Sequence, residues 1–158
     1  MPLYIEQAKS EEEAVRNIVA ESIGKLYITH HLALQQMLTN SLNSSNETEQ
    51  ATIARSLKYA AHKMTNDPHP SFYDFVATLI KLIGHKDLAI KKNCMDSLSQ
   101  VAYNNKTRRC LNLEDRYLAL IKAALLETPI KKDLVVTVDL GPFKHVVDNG
   151  TPVRKSAF

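Results

Sequence analysis

Apolar residues return every three or four positions along most of this 158-residue chain, a period that predicts amphipathic helices rather than strands. Six stripes stand out. Val15, Ile18, Val19, Ser22, Ile23 and Leu26 form the first, entered by the capping-box pattern Ser10-x-x-Glu13. Leu34, Met37, Leu38 and Leu42 form the second. The third begins at Asn46, with Glu49 at the box position, and carries Ala54, Leu57, Ala61 and Met64. The fourth follows "NDPHPS" with Phe72, Phe75, Val76, Leu79 and Ile83. The fifth starts at Asp87 and carries Ile90, Cys94, Leu98 and Val101. The sixth starts near Asn112 and carries Tyr117, Leu118, Ile121, Ala124 and Leu125. Connections are short, so successive helices should be antiparallel neighbours. None could cover its own stripe, and stacking in pairs hides them all.

The odd-numbered helices share a local pattern. "AVRNIVA", "IARSLKYAA", "AIKKNCM" and "PVRKSAF" each set a small or branched apolar residue just before a basic one. With Val15, Ala54, Ile90 and Val153 as that position, the intervals are 39, 36 and 63. The first two lie near the roughly 40-residue period of paired-helix solenoids of the HEAT and armadillo class. HEAT repeats also set an acidic residue six positions before the arginine. Glu49 with Arg55 and Asp148 with Arg154 have that spacing, Ser10 with Arg16 keeps only a capping oxygen, and His85 with Lys91 departs from it. The predicted fold is all-α, a HEAT-type solenoid of about three helix pairs over residues 1–128.

The long third interval marks an insertion at 129–150. Val135, Val136, Val138, Phe143, Val146 and Val147 are strand formers, and Leu140-Gly141-Pro142 punctuates them with a residue able to take positive φ. A two-stranded hairpin follows, with arms of about seven residues reaching roughly 20 Å. It would present Leu140 and Phe143 near its tip. Folding down over the sixth helix is the structural alternative; exposed apolar residues on an arm favour a partner site. "NGTP" then restarts the solenoid over 151–158, with Thr151 as N-cap and Pro152 at the first helical position. Phe158 falls in the second turn of that helix. This predicts a chain cut from something longer, which self-associates through the Val153–Phe158 end because terminal repeats need a polar outer face.

Composition narrows the function. Apolar content of 44% and charge of 23% fit a folded chain, while four glycines and no tryptophan argue against a loop-built enzyme or a nucleotide fold. No apolar run approaches membrane-spanning length. Cys94 and Cys110 lack metal-ligand spacing, and the six histidines share no spacing that would gather them. No Ser-His-Asp order or phosphate loop appears, so neither catalysis, a metal nor a cofactor is expected. Without a signal peptide, Asn43, Asn46 and Asn105 should stay unglycosylated, and a cytoplasmic and nuclear protein is expected. A net charge of +3, with basic runs at 91–92, 106–109, 131–132 and 154–155, permits an acidic partner. It leaves as the alternative a basic HEAT-repeat scaffold that binds nucleic acid or the transcription machinery, with an affinity for nucleic acid that would fall steeply with salt.

"VDLGPFKHVVDNG" followed by "VRKSAF", together with "EEEAVRNIVAESIGKL", resembles the carboxy-terminal region of the cullin-associated, neddylation-dissociated family, also named for TATA-binding-protein interaction. The match runs through nearly the whole chain and is strongest at 16–26 and 141–150. The resemblance implies a piece of a long HEAT solenoid that grips unmodified cullins and exchanges their substrate receptors. It further implies that Val138, Asp139, Leu140, Gly141, Pro142, Phe143, Lys144 and His145 reach the adaptor-binding surface at the cullin amino terminus and compete with the adaptor. Ubiquitin-ligase assembly would be the process regulated.

Overall fold

The computed structural model describes residues 2–64, 69–108, 119, 121–123, 135–139 and 144–156. Helices α1 (Pro2–Gln7), α2 (Glu13–Leu42), α3 (Glu47–Lys63), α4 (Ser71–Leu82) and α5 (Leu88–Arg108) are followed by strands β1 (Val135–Asp139) and β2 (Lys144–Asp148), then by α6 (Thr151–Ser156). The fold is all-α apart from the hairpin, as the stripes predict. Helical backbone also holds at 119 and 121–123, within the sixth predicted stripe, where Ile121 is fully buried. Tyr117, Leu118, Ala124 and Leu125 lie outside the described residues. The stripes did not reveal α1, which is too short for a period to show.

The first two predicted helices form, and they follow each other within α2 with a kink in place of a linker. The first and second stripes both lie on α2, divided at His30, where φ of −129° and ψ of 32° leave the helical region. The two halves nevertheless turn back on each other. Tyr27 donates its hydroxyl to Gln35 Oε1 at 3.1 Å across the bend, and Leu42 comes to the start of α3, where Gln50 Nε2 donates to its carbonyl at 2.8 Å.

The outgoing half of α2 runs parallel to α3, and α3 to α5. Arg55 of α3 reaches both Asn17 of α2 and Asn93 of α5. Farther along, α5 donates side chains into α3 carbonyls: Asn93 Nδ2 to Ala51 at 2.7 Å, Ser97 Oγ to Ala54 at 2.7 Å, and Asn104 Nδ2 to Ala61. These buried polar groups set the axial register of the two helices, because a slip would strand each of them without a partner. Residues 31–42 and α4 form the returning layer. Tyr27, near the end of the outgoing half of α2, meets Ser71 and Phe75 at the start of α4. The result is a layer of parallel helices backed by a layer of antiparallel ones, the paired-helix array predicted from the 39- and 36-residue intervals. One continuous core, from Ala8 through Ile23, Leu57, Leu79 and Leu98 to Val153, joins the layers.

The core differs from the predicted stripes at one face. Ile18 is 66% exposed, and α2 instead turns Val19, Ala20, Ile23, Gly24 and Tyr27 inward. The cause is close approach. A β-carbon on Gly24 would stand 2.5 Å from the Ser56 carbonyl oxygen and 2.7 Å from Tyr59 Cβ. Small residues therefore mark the contact line with α3, and the large Ile18 falls outside it.

Helix starts also depart in detail. Asn46 Oδ1 accepts from Glu49 N at 2.8 Å, and Asp87 Oδ1 from Ile90 N at 2.8 Å, both as expected of caps. The predicted capping box at Ser10 does not form: Ser10 Oγ accepts from Glu12 N, and the helix starts at Glu13. Thr151 is the first residue of α6 rather than its cap, since the Gly150 carbonyl accepts from Arg154 N at 2.9 Å.

Candidate partner interface

The strand formers of the insertion pair as an antiparallel ladder, Val135 with Asp148, Val136 with Val147, Thr137 with Val146, Val138 with His145 and Asp139 with Lys144. Each strand has five residues, so the paired part spans roughly 17 Å. Cross-strand partners share a face. On one face Val135, Thr137, Val146 and Asp148 are all exposed, with Val135 at 44% and Val146 at 62%. On the other, Val147 is half-buried. Of the eight predicted contact residues, Val138, Asp139, Lys144 and His145 close the ladder at its far end. Leu140, Gly141, Pro142 and Phe143 lie outside the described residues.

The base of the hairpin is fastened to the solenoid by the acid–arginine pair that the repeat spacing predicts. Arg154 ion-pairs with Asp148, whose other oxygen accepts from Gly150 N at 2.9 Å. One residue before Arg154, Val153 is 1% exposed in the common core, and α6 packs on α5. The second pair of that spacing is not formed. Glu49, almost fully buried, is held by Lys9 at 3.3 Å and by the Ser44 hydroxyl at 3.1 Å. Arg55 turns away to Glu13 at 3.6 Å and to the two asparagines. Spacing alone could not show this, because Lys9 approaches from the turn after α1, a helix the stripes did not reveal.

A second feature is a groove of about 260 Å³ along the amino-terminal ends of α2, α3 and α5, with Glu13, Arg16, Glu47, Arg55, Asp87 and Lys92 among its walls. Its charges are balanced, three against three, so it selects no ion by sign. A further polar cluster among the described residues lies at the start of α4. Ser71 Oγ stands 3.1 Å from His69 Nδ1 and 3.3 Å from the Tyr27 hydroxyl. But Nδ1 also accepts the Ser71 backbone N–H at 3.2 Å, which makes His69 a cap for α4, and Ser71 is buried. Burial likewise pushes the Tyr27 hydroxyl above its usual range. His31 lies against His69, ring centres 4.5 Å apart, without a third ligand. Among the described residues no group of three His, Cys, Asp or Glu could hold a metal, and none of the described helices is long and apolar enough to cross a membrane. Cys94 is buried and burial drives its thiol far up, so it is packing rather than a nucleophile.

Residues 113–158, which contain the hairpin and α6, match the family described as TATA-binding protein interacting (TIP20). The whole chain is 32% identical to Cullin-associated NEDD8-dissociated protein 1 of Dictyostelium discoideum and 33% identical to that of Arabidopsis thaliana. Over its full length the chain is a homologue of the proteins so named. It spans 12% and 13% of the length of those two proteins and matches their carboxy-terminal region. A relative in Emericella nidulans, named as the C-terminal part of the same protein, is 30% identical over 94% of the chain and 14% of its own length. The relatives and the stacked helix pairs together support a HEAT-repeat scaffold, and the hairpin is the element by which this region departs from plain helix pairs.

Proposed function

We propose that the chain is a cullin-binding segment of an assembly and exchange factor for cullin-RING ubiquitin ligases, acting as a scaffold and not as a catalyst. In this reading the helical array carries the hairpin to the cullin amino-terminal region, where residues 138–145 compete with the substrate adaptor. The observation that supports it is the hairpin itself: a ladder with exposed Val135 and Val146, held at its base by the Asp148–Arg154 pair, in a chain related throughout to proteins named cullin-associated. Two-stranded ribbons are marginal alone in water, so the exposed valines on this one are best accounted for by a partner that covers them. Such a factor would work where cullins assemble, in cytoplasm and nucleus.

The test is capture of cullin amino-terminal domains, with and without adaptor, by the full-length parent protein and by the same protein lacking 135–148. The reading requires adaptor to be displaced by the intact protein and retained with the deletion. Equal displacement by both would overturn it.

A further inference from the structure

The chain holds two Thr-Pro pairs, Thr128-Pro129 and Thr151-Pro152, and no Ser-Pro pair. Each is followed at the third and fourth positions after the threonine by two cations, Lys131-Lys132 and Arg154-Lys155. Proline directly after a hydroxyl residue offers a kinase a position with no backbone N–H to satisfy, and paired cations downstream suit an acidic enzyme surface. Thr128 lies outside the described residues. Thr151, Pro152 and Lys155 are all exposed. Arg154 is not a free cation: it holds Asp148, the last residue of β2 and the fastening of the hairpin.

We propose that Thr151 is a phosphorylation site for a proline-directed protein kinase, and that the phosphate draws Arg154 off Asp148 and loosens the base of the hairpin. This inference gives regulation to the hairpin and rests, for its consequence, on the reading of the hairpin as a partner arm. In the step itself, Thr151 Oγ attacks the terminal phosphorus of a nucleoside triphosphate. The new Oγ–P bond replaces the bond to the bridging oxygen, the nucleoside diphosphate leaves, and the hydroxyl proton passes to the kinase's base.

The competition follows from charge and geometry. Arg154 is three residues after Thr151, the spacing at which side chains on a helical turn meet. A phosphothreonine brings about −1.5 to −2 charge and three acceptor oxygens, against one negative charge on Asp148. Guanidinium pairs with phosphate in the same two-pronged way as with carboxylate, and the greater charge wins. Asp148 is then left with only the Gly150 N–H, close to a second anion of its own sign. Val153 stays in the core, so α6 keeps its place on α5 while the ladder loses its tie.

The experiment is to treat the full chain with a proline-directed serine/threonine kinase and ATP, map phosphate by mass spectrometry, and follow amide exchange of 135–139 and 144–148. Phosphate should appear at Thr151 and be absent there in Thr151→Ala. Ladder amides should exchange about three- to tenfold faster after modification, the scale of one ordinary hydrogen bond's net contribution, while α3 amides stay unchanged. Asp148→Asn removes the tie but leaves the kinase motif whole. It should speed the ladder by the same factor, and phosphorylation of that variant should add nothing. No phosphate at Thr151, or a phosphorylated chain with unaltered ladder exchange, would overturn the proposal. Adaptor displacement by the unmodified parent separates the two ideas: if it fails while phosphate still loosens the ladder, the switch stands and the hairpin reading falls.

Discussion

At Gly24 one hydrogen atom decides how closely two helices approach. Alanine is the better helix former by about 1 kcal/mol, so on propensity alone Gly24→Ala should stabilise. The new β-carbon, however, would meet the Ser56 oxygen, Tyr59 Cβ and Ala60 N at 2.5, 2.7 and 2.9 Å. None of these is the far end of a flexible side chain, so α2 and α3 must move apart. Overpacking of this kind costs about 1–3 kcal/mol, and the clash should win. Urea unfolding of Gly24→Ala should show a net loss of about 1 kcal/mol, the overpacking cost less the propensity gain; a gain would show the approach to be looser than described. Arg55 carries the other residue-scale prediction. One guanidinium reaches Asn17, Asn93 and Glu13 on two helices. Lysine keeps the charge and lacks the fork, so Arg55→Lys should lose about 1–3 kcal/mol, and a melt equal to wild type would deny the bridge its role. Neither residue was legible as such. Gly24 lies inside an apolar stripe where period-based reading looks for large side chains, and Arg55 was paired by spacing with Glu49, which Lys9 occupies.

The legible elements were those whose signal lies within the element. The stripes of α3, α4 and α5 are buried as written in the sequence, down to Met64 and Ile83 at their ends, and Asn46 and Asp87 cap where a cap is called for. The break between the first two helices was legible as an interruption and not as its form, since a bend at one residue leaves the hydrogen-bonded run almost continuous. The hairpin was legible from its valines and its punctuation. Its strands are shorter than the seven residues expected, because the ladder ends at Asp139 and Lys144. Four residues then connect the strands, and they include both predicted apolar anchors. If those anchors enter the adaptor site, Phe143→Ala in the parent protein should weaken adaptor displacement by about 2–4 kcal/mol, the range of a buried aromatic anchor, and Leu140→Ala by less. Lys144→Ala should slow association and flatten its salt response rather than speed dissociation. Displacement titrations at two salt concentrations check all three; a Phe143→Ala protein that displaces adaptor as well as wild type removes the tip from the interface.

The whole molecule separates a load-carrying array from an arm, and that separation can be tested without any partner. The three outgoing helices are tied to one another, α5 to α3 through Asn93, Ser97 and Asn104 and α3 to α2 through Arg55 and Asn17, while Thr52 of α3 also donates to the Ala8 carbonyl at 3.0 Å in the turn after α1. The strands, by contrast, contact chiefly each other among the described residues, and α6 reaches the core through its own Val153. Stability should therefore reside in the helices, with the hairpin near the low end of local stability. Replacing 136–147 by a short Gly-Ser linker, with Asp148 and Arg154 kept, should leave the thermal midpoint within about 2 °C of wild type. A shift of that size corresponds to less than about 1 kcal/mol for a chain of this length. The same change should abolish adaptor displacement by the parent. The structural alternative makes the opposite forecast. A hairpin folded down as a cap would take apolar area out of water at about 25 cal/mol per Å², and its excision would lower the midpoint by several degrees while exposing the helices beneath it. Differential scanning calorimetry of the excised and intact chains decides between them: a drop of 5 °C or more, about the effect of 1–2 kcal/mol, makes the hairpin part of the fold's own core and removes the physical ground for treating it as an arm held out to a partner.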